Sequence, residues 1–196
     1  VQLYQASPEG ASAATISRPT AGPGDFAGLV HLLGYDLQGR PQSGLPLYVT
    51  LYWQATRALE ADLKAFVILR DTSGVVAQWD TQPVGYLYPS HLWTPGAIQR
   101  DPWRLDLPLG LPPGEYRLSA GLYRAADGQR LDLVTQEGGG GATEFSLGAI
   151  SVAKENLPAD ARALPVQTRL DANLGDEVDL VGATLNQASL APGKAL

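Results

Sequence analysis

The sequence predicts an all-β chain folded as an antiparallel β-sandwich of about eight strands. Three observations predict it: apolar runs alternate with period two, turn signals separate them, and helix signals are poor throughout. The alternation has a geometric origin. Successive side chains of a strand point to opposite faces, so a strand packed on one side reads apolar, polar, apolar.

In chain order, residues 1–24 are rich in Ala, Ser, Pro and Gly, and only 1–4 reads as a short strand. The first long extended run is 29–37. In 45–53, Leu47, Val49, Leu51 and Trp53 fall on one face and Tyr48, Thr50 and Tyr52 on the other. Residues 56–63 could make a helical turn or two, too short to define a layer. The run 63–70 ends at the turn cluster Asp71-Thr-Ser-Gly74 and resumes over 75–79, which predicts a hairpin. Residues 103–107 alternate again before the Pro/Gly-rich stretch 108–114. Beyond it Tyr116, Leu118, Ala120 and Leu122 face inward, with Arg117, Ser119 and Tyr123 outward. Asp127-Gly128 predicts a tight hairpin into a strand over 131–134. The Gly-rich run 137–141 reads as a mobile loop, and 145–152 closes the series.

Tyr116 follows Gly114 by two residues and opens an alternating strand. This resembles the tyrosine corner of immunoglobulin and fibronectin III-like domains, where the hydroxyl ties the preceding turn to the strand and the ring joins the core.

An internal repeat divides the chain. Leu32-Leu-Gly-Tyr-Asp-Leu37 is echoed by Leu180-Val-Gly-Ala-Thr-Leu185, Gly24-Asp25 by Gly175-Asp176, and Gly44-Leu-Pro-Leu47 by Gly193-Lys-Ala-Leu196. The offsets predict a tandem unit of roughly 150 residues. The expected organisation is an N-terminal segment over 1–24 that ends a preceding repeat, and a sandwich over 25–153. A linker over 154–173 follows, then the first strand of a truncated second repeat at 174–196. Such a strand would add to a sheet edge, pair with another molecule or stay loose. A first residue of Val1 with no Met anywhere leads to the expectation of a processed or excised part of a longer protein.

Composition excludes several function classes. A net charge of -6 and pI near 4.8 argue against nucleic acid or an anionic membrane surface as partner. With 0 Cys there is no disulfide scaffold, thiolate zinc site, iron–sulfur cluster or cysteine nucleophile. No apolar run approaches the roughly 18 residues of a membrane span, so no membrane insertion by this segment is expected. His31 and His91 are far apart and lack ligand spacing, and Asp71, Asp80, Asp101 and Asp127 form no calcium-loop pattern. Ser90 and His91 are adjacent but no nucleophile elbow surrounds them. No catalytic residue, metal or cofactor is therefore assigned.

Aromatic residues remain. Trp79, Tyr86, Tyr88, Trp93 and Trp103 place five of the 15 aromatics within 25 residues, where an even spread gives about two. The Pro- and Gly-rich stretch among them predicts a long structured loop crossing the sandwich. Flat rings on such a loop could stack on sugars, or plug the open end of the sandwich and fix the loop.

The runs 32–37, 47–53, 82–96 and 111–123, followed by Asp127-Gly-Gln-Arg130, come in an order with a known counterpart. Over residues 25–152 the series resembles uncharacterised β-sandwich domains of bacterial envelope proteins. Such domains occur notably after the membrane-spanning part of lipid-carrier-dependent glycosyltransferases of the protein-mannosyltransferase-like type. Ile68 stands where a polar strand residue is expected, and His31 where an apolar one is. The resemblance implies an extracytoplasmic, non-catalytic accessory or interaction module, since the catalytic acids of that family sit in its membrane part. It implies other domains of the parent protein as partners and a glycan or lipid-linked sugar as the ligand class. The alternatives are a carbohydrate-binding module using the aromatic loop 79–103 and, less favoured, a hydrolase domain.

Overall fold

The computed structural model describes residues 16–85, 88–134, 141–153, 164–175 and 178–184. The chain forms two compact units, Val1–Glu155 and Asn156–Leu196. In the first the strands are β1 (Arg18–Phe26), β2 (Val30–Gln38), β3 (Pro46–Ala55), β4 (Leu63–Arg70), β5 (Val75–Thr81), β6 (Ile98–Asp106), β7 (Gly114–Arg124) and β8 (Phe145–Val152).

They make two four-stranded antiparallel sheets, ordered β1-β2-β3-β6 and β5-β4-β7-β8. The chain changes sheet at β3–β4, β5–β6 and β6–β7, so sequence neighbours supply both layers of one core. This is the antiparallel sandwich that the alternation predicts. Leu47, Val49, Leu51 and Trp53 face Val67, Leu69, Leu118, Ala120 and Leu122 across the two sheets in that core. The Tyr35 hydroxyl on β2 donates to the Leu147 carbonyl on β8 and joins the layers. Tyr116 is buried, and its hydroxyl donates to the Pro112 carbonyl at 2.7 Å, so the corner is present.

Four features differ from the sequence reading. β1 begins at Arg18, inside the segment set apart as 1–24, and pairs with β2 at both of its ends. Pro19, Pro23 and two glycines conceal its strand signal, and the register slips between Pro19 and Gly24. Proline is tolerated there because β1 is the edge of its sheet. Residues 131–134 form no strand. Leu133 makes an isolated bridge to Phe26 instead, with the Ala27 N–H on the Asp132 carbonyl at 2.8 Å, and Arg130 just before the segment bridges Tyr123. That segment thereby spans from β7 to the end of β1, across the two sheets. Residues 56–62 carry no helix, and the described residues of this unit hold one 3-10 turn, Ser90–Leu92. Thr50 and Tyr52, read as an outward polar face, are buried, with the Tyr52 hydroxyl 2.7 Å from Asp36 Oδ2.

The second unit contains β9 (Thr168–Leu174) and β10 (Val178–Ala183), an antiparallel pair. β9 occupies the stretch read as linker. Residues 1–4, 137–140 and 185–196, on which parts of the sequence reading fall, lie outside the described residues. Among the described residues no helix is long and apolar enough to cross a membrane.

Candidate functional site

The aromatic stretch leaves β5 on one sheet and reaches β6 on the other, as a crossing loop must. Its anchor is Asp101, which β6 directs inward between the buried Trp103 side chain and β3. Asp101 Oδ2 accepts from Trp53 Nε1 at 2.9 Å and from Trp103 Nε1 at 2.8 Å, and Oδ1 accepts from the Val84 N–H at 2.8 Å. Val84 sits at φ 61°, a left-handed conformation that a β-branched residue rarely adopts. A carboxylate with three N–H donors fixes both the start of the loop and two indoles. Burial pushes its pKa from 3.8 up to about 6, against the opposing pull of those donors.

Trp93 is 2% exposed and Trp103 6%, and both belong to the core, so neither offers a face to a sugar. This corrects their assignment as stacking residues: an indole in the core is already stacked on protein. Trp93 Nε1 donates to the Tyr88 carbonyl at 3.3 Å, and the Tyr88 hydroxyl to the Leu92 carbonyl at 3.0 Å. Tyr88 and Trp79 are half-buried and pack against the core, Trp79 from the edge strand β5 opposite Val67. Tyr86 lies outside the described residues.

Ser90, His91 and Asp62 do meet, though not as a relay. His91 Nδ1 lies 2.9 Å from Asp62 Oδ1, and the His91 N–H donates to the same oxygen at 3.2 Å. Ser90 Oγ is buried, accepts the Leu63 N–H at 2.7 Å and turns toward Asp62. A nucleophile needs its base within reach and an open face. Here all three groups serve to pin the 3-10 turn to the start of β4. Burial works against ionisation of Asp62, but the His91 ring and backbone outweigh it and hold the carboxyl below its ordinary range.

The loop aspartates are similarly engaged. Asp71 Oδ1 closes its turn by accepting from the Ser73 and Gly74 N–H groups at 2.7 and 2.9 Å. Asp127 accepts from the Gln129 N–H at 3.0 Å, and Asp80 from Gln78 Nε2 at 2.8 Å. No group of three or more metal-ligating side chains converges among the described residues.

Sequence reasoning missed the outer face of the β5-β4-β7-β8 sheet. Phe66 and Ile68 point to that face yet are buried. Arg130 lies 4.2 Å over the Phe66 ring. Glu144 takes a bidentate pair from Arg70 at 2.5 and 2.9 Å, Arg130 at 2.8 Å and the Ser119 hydroxyl at 2.9 Å. Burial raises the Glu144 pKa, but the arginines and Ser119 prevail and lower it overall. Beside this cluster Phe66, Gln78, Asp80, Tyr123, Gly128 and Arg130 line a cleft of about 180 Å³. Ile68, apolar where a polar residue is expected, was the sequence signal for a covered face.

No protein-family model matches the sequence, nor does any curated protein. Among solved structures, the C-terminal domain of wzt is similar over 71% of this chain and 84% of its own, at 12% identity and a TM-score of 0.45. The CARDB domain of the PF1109 protein from Pyrococcus furiosus, solved in complex with di-metal ions, is similar over 62% of this chain and 90% of its own, at 10% identity and a TM-score of 0.36. Likeness at this level carries no inference about ligand, metal or activity.

Proposed function

We propose that the chain is a non-catalytic accessory module of a larger extracytoplasmic cell-envelope protein, associated with glycosyl transfer and acting through other domains of its parent. The observation that carries the non-catalytic part is the use of its acidic groups. Asp101, Asp62, Glu144 and Asp36 each spend their acceptor oxygens on scaffold donors. The envelope setting rests on the resemblance of residues 25–152, and fold alone does not decide a role.

A glycan or lipid-linked sugar remains the ligand class of this reading. A carbohydrate-binding module is the second reading, and the cleft over Phe66 favours it more than the aromatic loop does. There Gln78 and Asp80 set planar hydrogen-bonding groups beside Tyr123 and Arg130. The test is a glycan array paired with a panel of glycoside and ester substrates. The expected result is no turnover, and loss of any retained glycan in Gln78→Ala and Asp80→Ala. Turnover that disappears in His91→Ala would overturn the non-catalytic reading; glycan retention surviving both cleft substitutions would overturn the cleft.

A further inference from the structure

The second unit repeats the opening hairpin of the sandwich pair by pair. In β1–β2 the paired residues are Arg18 with Tyr35, Pro19 with Gly34, Gly24 with Leu32, Asp25 with His31, and Phe26 with Val30. In β9–β10 they are Thr168 with Ala183, Arg169 with Gly182, Ala172 with Leu180, Asn173 with Asp179, and Leu174 with Val178. Every β2 residue maps to β10 at one constant offset, 148, and the last three β1 residues map to β9 at that same offset. The first two are offset by 150 because β1 carries a longer bulge between Pro19 and Gly24 than β9 does between Arg169 and Ala172.

Close contacts repeat too. A Cβ on Gly34 would stand 2.5 Å from Ile16 Cγ2 and 2.6 Å from the Arg18 carbonyl oxygen. A Cβ on Gly182 would stand 2.6 Å from Val166 Cγ2 and 2.7 Å from the Thr168 carbonyl oxygen. These partners match at the same offsets. The turn matches as well: Ala27 sits at φ 56° and Gly175 at φ 69°. Gly175 therefore takes the place of Ala27, which corrects the sequence match of Gly175 to Gly24.

What differs is the surroundings. Phe26, Val30 and Leu32 are fully buried by the sandwich core. Their counterparts are Leu174, Val178 and Leu180, apolar at all three positions, with Leu174 59% and Leu180 43% exposed. The outward polar pair is conserved in kind: Asp25 beside His31 becomes Asn173 donating to Asp179 at 2.9 Å.

We propose that residues 164–184 are the opening hairpin of a second sandwich of the same kind. The edge of β10 is then a docking surface for one occupant, a tandem β3-type strand with its following sandwich. In the first unit that position is filled by β3, whose Trp53 pairs with Leu32 and whose Ala55 pairs with Val30. Among the described residues β10 pairs with β9 alone. A second copy of this chain does not fit, because its β3 is bound on both edges, by β2 and β6.

The test extends the whole chain after Leu196 with a further copy of residues 48–155, in register because Leu196 matches Leu47 in sequence. Amide exchange over 178–183 is expected to slow at least about 100-fold relative to the unextended chain. Gly182→Val in the extended chain is expected to abolish the slowing. A companion chain, with residues 166–184 in place of 16–36, is expected to retain one cooperative sandwich. The proposal falls if the extended chain shows no slowing and the companion chain does not fold. It also falls if the unextended chain dimerises with its β10 amides protected.

Discussion

Asp101 shows how one side chain decides the fate of an aromatic cluster. Asp101→Asn keeps an oxygen for the indoles but sets an amide against the Val84 N–H, so a loss of about 1–3 kcal/mol is expected in urea unfolding. The pH dependence has a definite sign. A carboxyl whose folded pKa is about 6 binds its proton more readily folded than unfolded, so its stabilisation is full below 3.8 and is lost as pH rises through 6. Relative to Asp101→Asn, the native chain should gain about 2 kcal/mol between pH 7 and pH 4. A gain that is absent, or of opposite sign, would show that the carboxyl ionises freely. Ala27 offers a second residue-level case. It holds a left-handed backbone with an exposed side chain where the second hairpin has glycine. Ala27→Gly is expected to stabilise the sandwich by about 1 kcal/mol, read as a Tm rise of about 2–4 °C.

At the level of elements, two devices hold connections against the sheets. The Tyr116 hydroxyl holds the β6–β7 turn through Pro112, and Tyr116→Phe keeps the ring while losing the bond. A loss of about 1 kcal/mol by denaturant unfolding is expected, with an unchanged m-value. Glu144 holds the β7–β8 connection over Phe66 through Arg70, Arg130 and Ser119. Both arginines are about one-third exposed, so solvent screening limits the pair, and Glu144→Gln should cost about 1 kcal/mol. Because its pKa is depressed, that contribution is present at neutral pH and is lost as pH falls through the folded value. Amide exchange at Arg130 and Leu131 in Glu144→Gln checks whether the connection loosens before the sheet does.

For the whole molecule the two pH trends oppose one another. Asp101 adds stability as pH falls from about 6, while Glu144, Asp62 and Asp36 lose theirs as pH falls below the ordinary carboxylate range. Maximum stability is therefore expected between about pH 4 and 5, and a plateau across pH 5–8 in thermal unfolding would contradict it. The two units should also differ in local stability. A two-stranded hairpin exposed along β9 has little to bury, so its amides should exchange far faster than those of β3 and β4 in the same chain.

Period-two alternation made β3, β7 and the later part of β6 legible, because a strand with one buried face writes that face into its sequence, and apolar runs between turn signals marked β2, β4, β5 and β8. The Tyr116 corner and the echo of 32–37 at 180–185 were legible for the same local reason. β1 was not, since its prolines and glycines suit an edge and resemble a loop when read alone. The segment 131–134 looked like a strand and became a strap, because Asp25 and Ala27, far away in sequence, and Leu122 on β7 take its backbone bonds. The candidate site divides in the same way. Sequence located the aromatic cluster, but whether an indole faces solvent or core depends on what the opposite sheet brings to it. Trp53 and the inward turn of Asp101 made that decision for Trp103, and the core made it for Trp93. By itself the sequence determined the sandwich and the corner, both properties of local period and spacing. Only the tertiary structure decided which rings and carboxylates were consumed by the scaffold, because burial and pairing are set by contacts between residues tens of positions apart.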